Sequence, residues 1–274
     1  MAKFSQIFKL GKRQSELDFV DIPLHTDIWL CVDPFVISQR IDVLSQQSHT
    51  TILAFFQQIV DSIRSGKTNE AQQLLMYLRE PNETHLGLSR KKSKGAGIGP
   101  VQARQIYAAL RDSSAVRTGF LTSLEECELM IEGIGRDKMS DLTTNIIRAH
   151  LVNYTQEQCD LHNIPMKEVA LPPIFNATTM SWESRYESLP TWKDRQILLV
   201  PKVFVRSVPA YDHQQYYRHF VLDYLQAEAL SAGSSLVHAL KNGKRVVYKK
   251  DLEKEFPCTK EFLYQFSRAH PEVL

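Results

Sequence analysis

The densest run of chemistry-bearing side chains is Glu132-Gly133-Ile134-Gly135-Arg136-Asp137-Lys138-Met139-Ser140-Asp141-Leu142-Thr143-Thr144-Asn145. Three carboxylates, Glu132, Asp137 and Asp141, fall between an apolar stretch and the start of a helical pattern. Mg²⁺ takes oxygen ligands and keeps several waters, so carboxylates gathered at the end of an element are the residues that would hold it. Glu132, Asp137 and Asp141 are therefore the candidate metal ligands and Mg²⁺ the candidate cofactor. Lys138 is the candidate catalytic group that orients a phosphate or activates a water. The same residues also have a purely structural reading. Asp141 suits a helix N-cap, and Asp137 after Gly135 suits a turn. Thr143, Thr144 and Asn145 add more polar groups than capping requires, which favours chemistry.

A basic run, Arg90, Lys91, Lys92 and Lys94, precedes glycines at 95, 97 and 99 and then Pro100. Glycines before a helix start let backbone N–H groups approach a phosphate, with the helix dipole and nearby lysines adding to the attraction. No GK[ST] closes the run and no strand precedes it, which excludes a P-loop and a dinucleotide fingerprint. The alternatives are a nucleic-acid contact or a solvated loop. Arg206 joins the four as a candidate phosphate contact, because it emerges from the apolar stretch Ile197 to Val205.

Lys202 emerges from that stretch too, in Val200-Pro201-Lys202. Nucleases of the PD-(D/E)XK type place an Asp and a following (D/E)XK on adjacent strands. This sequence resembles them only in keeping the lysine, with Asp141 as the earlier acid and the second carboxylate missing. The resemblance implies a second catalytic lysine at Lys202. The turn from Glu132 to Asn145, with Asp33-Pro34 before it and Leu199 to Lys202 after it, also resembles uncharacterised bacterial proteins of mobile-element and phage-defence type. That resemblance implies a role in phage defence.

The elements that must position these residues follow from period and punctuation. Asp18 to Ile22 and Asp27 to Val32 have strand composition, with Pro23 and Pro34 as breaks. Ile52, Phe55, Phe56, Ile59, Val60 and Ile63 make one face of a helix that Ser48 or Thr50 caps and Gly66 ends. Asn69 opens a second helix, with Ala71, Leu74, Leu75 and Leu78 buried. The period vanishes from Glu80 to Gly99, a length of loop that is usually functional or disordered. A helix then runs from Pro100 through Leu110. Ser123-Leu124-Glu125-Glu126 forms an acidic turn, and Leu129 to Ile134 reads as a strand. Asp141 caps the next helix, and Thr155 caps its continuation through Leu161. Strands at Val169 to Leu171 and Ile197 to Val205 bracket an aromatic-rich link, and helices over His213 to Leu230 and Thr259 to Ala269, the second with Thr259 as its cap, end the pattern.

The fold expectation is therefore a helix-rich mixed α/β domain with a small central sheet and a C-terminal helical segment, divided at 1–212 and 213–274. The chain has 274 residues, 43% hydrophobic and 23% charged, which suits a globular core of this size. A net charge of +2 singles out no partner by global electrostatics. The longest apolar runs are strand-length, so no membrane span is expected. Cys31, Cys127, Cys159 and Cys258 have no metal-ligand spacing, and no HExxH or GxSxG occurs. Reduced cysteines and the lack of a signal-peptide pattern imply a cytoplasmic location. Two functions remain: a Mg²⁺-dependent phosphodiesterase or nuclease in phage defence, with nucleic acid as partner, or a non-catalytic subunit that binds a partner protein.

Overall fold

The apolar spacing written into residues 43–64 produces the longest helix of the structure, a computed structural model describing residues 2–87, 100–118, 121, 123–207, 213–270 and 273. The helices are α1 (Phe4–Ile7), α2 (Pro34–Ser38), α3 (Val43–Arg64), α4 (Thr68–Leu75), α5 (Pro100–Asp112), α6 (Ser114–Thr118) and α7 (Cys127–Met130). They continue as α8 (Arg136–Ile146), α9 (Arg148–Leu161), α10 (His213–Tyr216), α11 (Leu222–Ala232), α12 (Lys249–Glu255) and α13 (Lys260–Ala269).

Helix α3 buries Ile52, Phe55, Phe56, Ile59 and Val60 against its neighbours α2, α4, α8 and α9. Each such side chain contributes about 1.5–3 kcal/mol relative to exposure. The helix begins earlier than expected. Asp42 is its N-cap, with Oδ1 accepting from the Ser45 backbone N–H at 3.0 Å and from the Ser45 hydroxyl at 2.8 Å. Thr50 and Thr51 instead donate their hydroxyls to the carbonyls of Gln46 and Gln47, so they sit inside the helix. Asp33 caps α2 by accepting from the Phe35 N–H at 3.0 Å, with Pro34 in the first turn, so Asp33-Pro34 is a helix start.

The expected class, helix-rich α/β with a C-terminal helical segment, is what forms. Among the described residues its strands are shared among five antiparallel pairs of two. Strand β1 (Cys31–Val32) pairs with β8 (Val205–Arg206), β2 (Lys167–Ala170) with β5 (Tyr186–Leu189), and β3 (Ile174–Asn176) with β4 (Ser181–Glu183). Strand β6 (Thr191–Trp192) pairs with β7 (Arg195–Gln196), and β9 (His238–Ala239) with β10 (Arg245–Val246). Ile197 to Val200 is buried as expected but is not a strand. Its N–H groups go to separate acceptors: Ile197 to Pro190 O, Leu198 to Glu83 O and Leu199 to Thr155 Oγ1. Pro201, which lacks an N–H, then leads into a 3₁₀ turn over Lys202–Phe204. Asp18 to Ile22 runs beside it through Val20 N to Val200 O at 3.0 Å and Lys202 N to Asp18 O at 2.8 Å.

Leu129 to Ile134 is also not a strand. Helix α7 covers its start, and Cys127, Leu129, Met130, Ile131 and Ile134 are all buried. An apolar run this short fits a buried helical turn as well as a strand, and burial on every side removes the alternation that separates them. Thr155 lies inside α9, where its hydroxyl donates to Leu151 O at 2.7 Å.

The C-terminal helices dock on α6 and α7. Thr259 caps α13, as expected, by accepting from the Phe262 N–H at 3.1 Å. Lys260 is buried and donates Nζ to the carbonyls of Ile131 and Ile134 at 2.9 and 2.5 Å. The Tyr216 and Ser267 hydroxyls meet at 2.8 Å across the same segment. Among the described residues no helix is long and apolar enough to cross a membrane.

Candidate acidic site

Helix α8 starts at Arg136, with Gly135 in the cap position at φ −115° and ψ 179° and no side-chain cap. Asp141 is therefore in the second turn and is not the N-cap that the sequence suggested. Asp137 occupies the first turn, where its charge complements the helix dipole. Spacings of four put Asp137, Asp141 and Asn145 on one face.

Asn145 fixes what that face meets. Its Nδ2 donates to Arg79 O at 2.5 Å and to Asp141 O at 2.7 Å, bringing the segment after α4 against α8 beside Asp141. Its Oδ1 accepts from Arg148 Nη2 at 2.6 Å. Arg148 is 1% exposed and forms an ion pair with Glu83, so a buried charge pair clamps residues 79–83 onto the α8–α9 junction. Farther along, His85 and Leu86 run beside Ile28: the Ile28 N–H donates to His85 O at 3.0 Å, and Gly87 N–H donates to Ile28 O at 3.1 Å. This brings Asp27 to His85, with Oδ1 3.7 Å from Nδ1.

Three chain segments thus deliver four carboxylates to one region: Asp27, Glu80, Asp137 and Asp141. Two of them, Asp141 and Glu80, feel their neighbours' charge. Burial, then the charges of Asp137 and Glu80, push the Asp141 carboxyl up to about 8. Burial, then Asp27 and Asp137, raise Glu80. Burial raises Asp27, and burial followed by the charges of Arg195 and His25 lowers His85. Asp137 is exposed and Asp141, Glu80 and Asp27 are half-buried, so the group is reached from solvent on the Asp137 side. Cys31 lies near enough for Asp137 and Asp141 to act on its thiol. Burial first, then Asp137, push it up to about 12, which keeps it protonated and a poor nucleophile near neutral pH.

Of the sequence-derived candidates, Asp137 and Asp141 come together. Glu132 is exposed and accepts from the Lys260 backbone N–H at 3.2 Å, at the start of α13. Lys138 donates Nζ to Gly133 O at 2.6 Å and closes the turn before α8. Lys202 donates Nζ to Leu17 O at 2.5 Å and lies 3.9 Å from Asp18. Arg206 is exposed on β8, opposite Cys31 of β1. Arg90, Lys91, Lys92 and Lys94 lie outside the described residues. Among the described residues no three His, Cys, Asp or Glu side chains stand at metal-binding spacing. Glu80, Asp27 and His85 were not singled out by sequence, although Glu80 opens the stretch where the helical period is lost.

Residues 9–212 match a family model described as "Domain of unknown function (DUF8370)". No curated protein and no solved structure matches the chain.

Proposed function

The chain belongs to the DUF8370 family, and from the acidic site we propose a divalent-cation-dependent phosphodiesterase of nuclease type, acting in the cytoplasm in phage defence. The observation that supports this reading is the convergence of Asp137 and Asp141 of α8 with Glu80 from the facing segment. Crowded carboxylates repel one another, and a hard dication such as Mg²⁺ relieves that repulsion while supplying a Lewis acid. Glu80, Asp137 and Asp141 would hold the cation, with Glu80 and Asp137 drawn inward toward Asp141 to reach ligand distance. With Lys138 and Lys202 tied to carbonyls, the N–H groups of the first turn of α8 would receive the phosphate. Arg206 and the 90–94 run would extend the contact along a nucleic-acid backbone.

The test is hydrolysis of single- and double-stranded nucleic acid and of bis(p-nitrophenyl) phosphate, with Mg²⁺ or Mn²⁺ and with chelator. Cation-dependent cleavage that Asp141→Asn and Glu80→Gln each abolish, at unchanged circular dichroism, is the expected result. Absence of cleavage with every substrate and cation would count against catalysis.

The second reading, a partner-binding subunit, rests on surface apolar residues. Ile41, in the turn between α2 and α3, is 89% exposed, and Val43, the first residue of α3, is 69% exposed. Activity from the purified chain alone separates the two.

A further inference from the structure

The acidic turn at 123–126 has a second feature, independent of the α8 site. A cavity of about 350 Å³ opens between α2, the first half of α3 and this turn. Phe35, Gln39, His49, Leu53, Glu125 and Glu126 contribute to its lining. Its size falls in the range of pockets that hold small ligands, about 300–1,000 Å³.

Glu125 is the unusual member. It is 6% exposed, yet neither of its carboxylate oxygens has a hydrogen-bond partner among the described residues. The Nε2 of His49, on α3, lies 3.7 Å from Oε1, within ion-pair reach but beyond hydrogen-bond length. A buried carboxylate without hydrogen bonds is costly, and it is stabilised when a cation arrives with donors. Glu126 adds a second negative charge while its Oε2 accepts from the Ser123 N–H at 3.4 Å, holding the turn. Phe35 and Leu53 supply apolar wall, and Gln39 supplies an amide at the rim.

The geometry points to a site for an organic cation, an alkylammonium or alkylguanidinium group whose head pairs with Glu125 and whose methylene stem lies along Phe35 and Leu53. A bare metal ion suits it less. The cavity is about ten times the roughly 30 Å³ that one water occupies in the liquid, and its walls are partly apolar. The same chemistry reaches such a pocket either as a free small amine or as a lysine or arginine side chain of another polypeptide.

Calorimetric titration of the full chain with n-butylammonium, n-butylguanidinium and the neutral n-butylurea tests the head group. Blocked Gly-Lys-Gly and Gly-Arg-Gly tripeptides test the source. Saturable binding of the cations, with n-butylurea at least tenfold weaker, is expected. Tighter binding of the tripeptides assigns the site to a side chain, and tighter binding of the small cations assigns it to a free amine. Glu125→Gln should weaken cation binding by roughly tenfold or more, the worth of a charge-assisted hydrogen bond. It should also melt no lower than wild type, because it removes a buried charge that no hydrogen bond compensates. Leu53→Trp fills the mouth without touching Glu125 and should weaken all probes together. Failure of every cation to bind wild type, equal binding of n-butylurea, or unchanged binding by both variants would overturn the assignment.

Discussion

The ion pair of Glu83 with Arg148 holds the segment carrying Glu80 against α8, so removing one charge should be among the most damaging single changes near the site. Arg148 is 1% exposed and the Glu83 side chain 9%, so neither charge is well solvated. Burial and the charge of Arg79 already pull the Arg148 guanidinium below its ordinary value. Glu83→Gln keeps size and shape but leaves the guanidinium with Asn145 Oδ1 as its remaining described partner. An uncompensated buried charge costs about 3–5 kcal/mol. At roughly 2–4 °C per kcal/mol for a large domain, the melting temperature should fall by about 6–20 °C. Chemical denaturation of wild type, Glu83→Gln, Arg148→Met and the double variant closes a cycle. The double variant should recover part of the loss, since it leaves no uncompensated charge in the interior. If Glu83→Gln lies within about 1 kcal/mol of wild type, or the two losses simply add, the pair does not organise this region.

In the metal-free protein, Asp141 has a folded-state value near 8 against an ordinary 3.8. Its neutral form is favoured by folding, so its contribution is fully present below pH 4 and is lost as pH rises toward 8. Asp141→Asn should remove that decline and melt above wild type at pH 8, as thermal melts across pH 5–9 would read. Thr259→Ala removes the cap of α13 and should cost about 1 kcal/mol, measured by urea denaturation. Replacing Arg90, Lys91, Lys92 and Lys94 by Ser should flatten the salt dependence of nucleic-acid binding, by roughly 0.7–0.9 in log–log slope for each phosphate no longer neutralised. An unchanged slope in a filter-binding titration would make the run solvated surface.

What the sequence made legible was local. The spacing of Ile52, Phe55, Phe56, Ile59 and Val60 identified α3, and Thr259 announced the start of α13. The helix-rich class and the C-terminal helical segment followed from such patterns. Leu129 to Ile134 misled because residues buried on all sides carry no period. Asp141 misled because an Asp before Leu142 looks like a cap, whereas Gly135 had already started the helix without one. Asp137 and Asp141 were legible as a pair from the density of carboxylates in one short run, whereas their shared helix face follows only from a helix that starts at Arg136. Glu80, Asp27 and His85 were not, because they reach the site through hydrogen bonds such as Asn145 to Arg79 O. Those bonds join residues far apart in sequence, and no local pattern encodes them.

If Glu80, Asp137 and Asp141 form one cation site, calorimetric titration of Mg²⁺ into the purified chain at pH 8.5, above the value of about 8 to which Asp141 is pushed, reads it most directly. One saturable site is predicted in wild type, abolished in Asp141→Asn and in Glu80→Gln, and retained in Glu132→Gln. No saturable binding by wild type, or the same binding by Asp141→Asn, would contradict it.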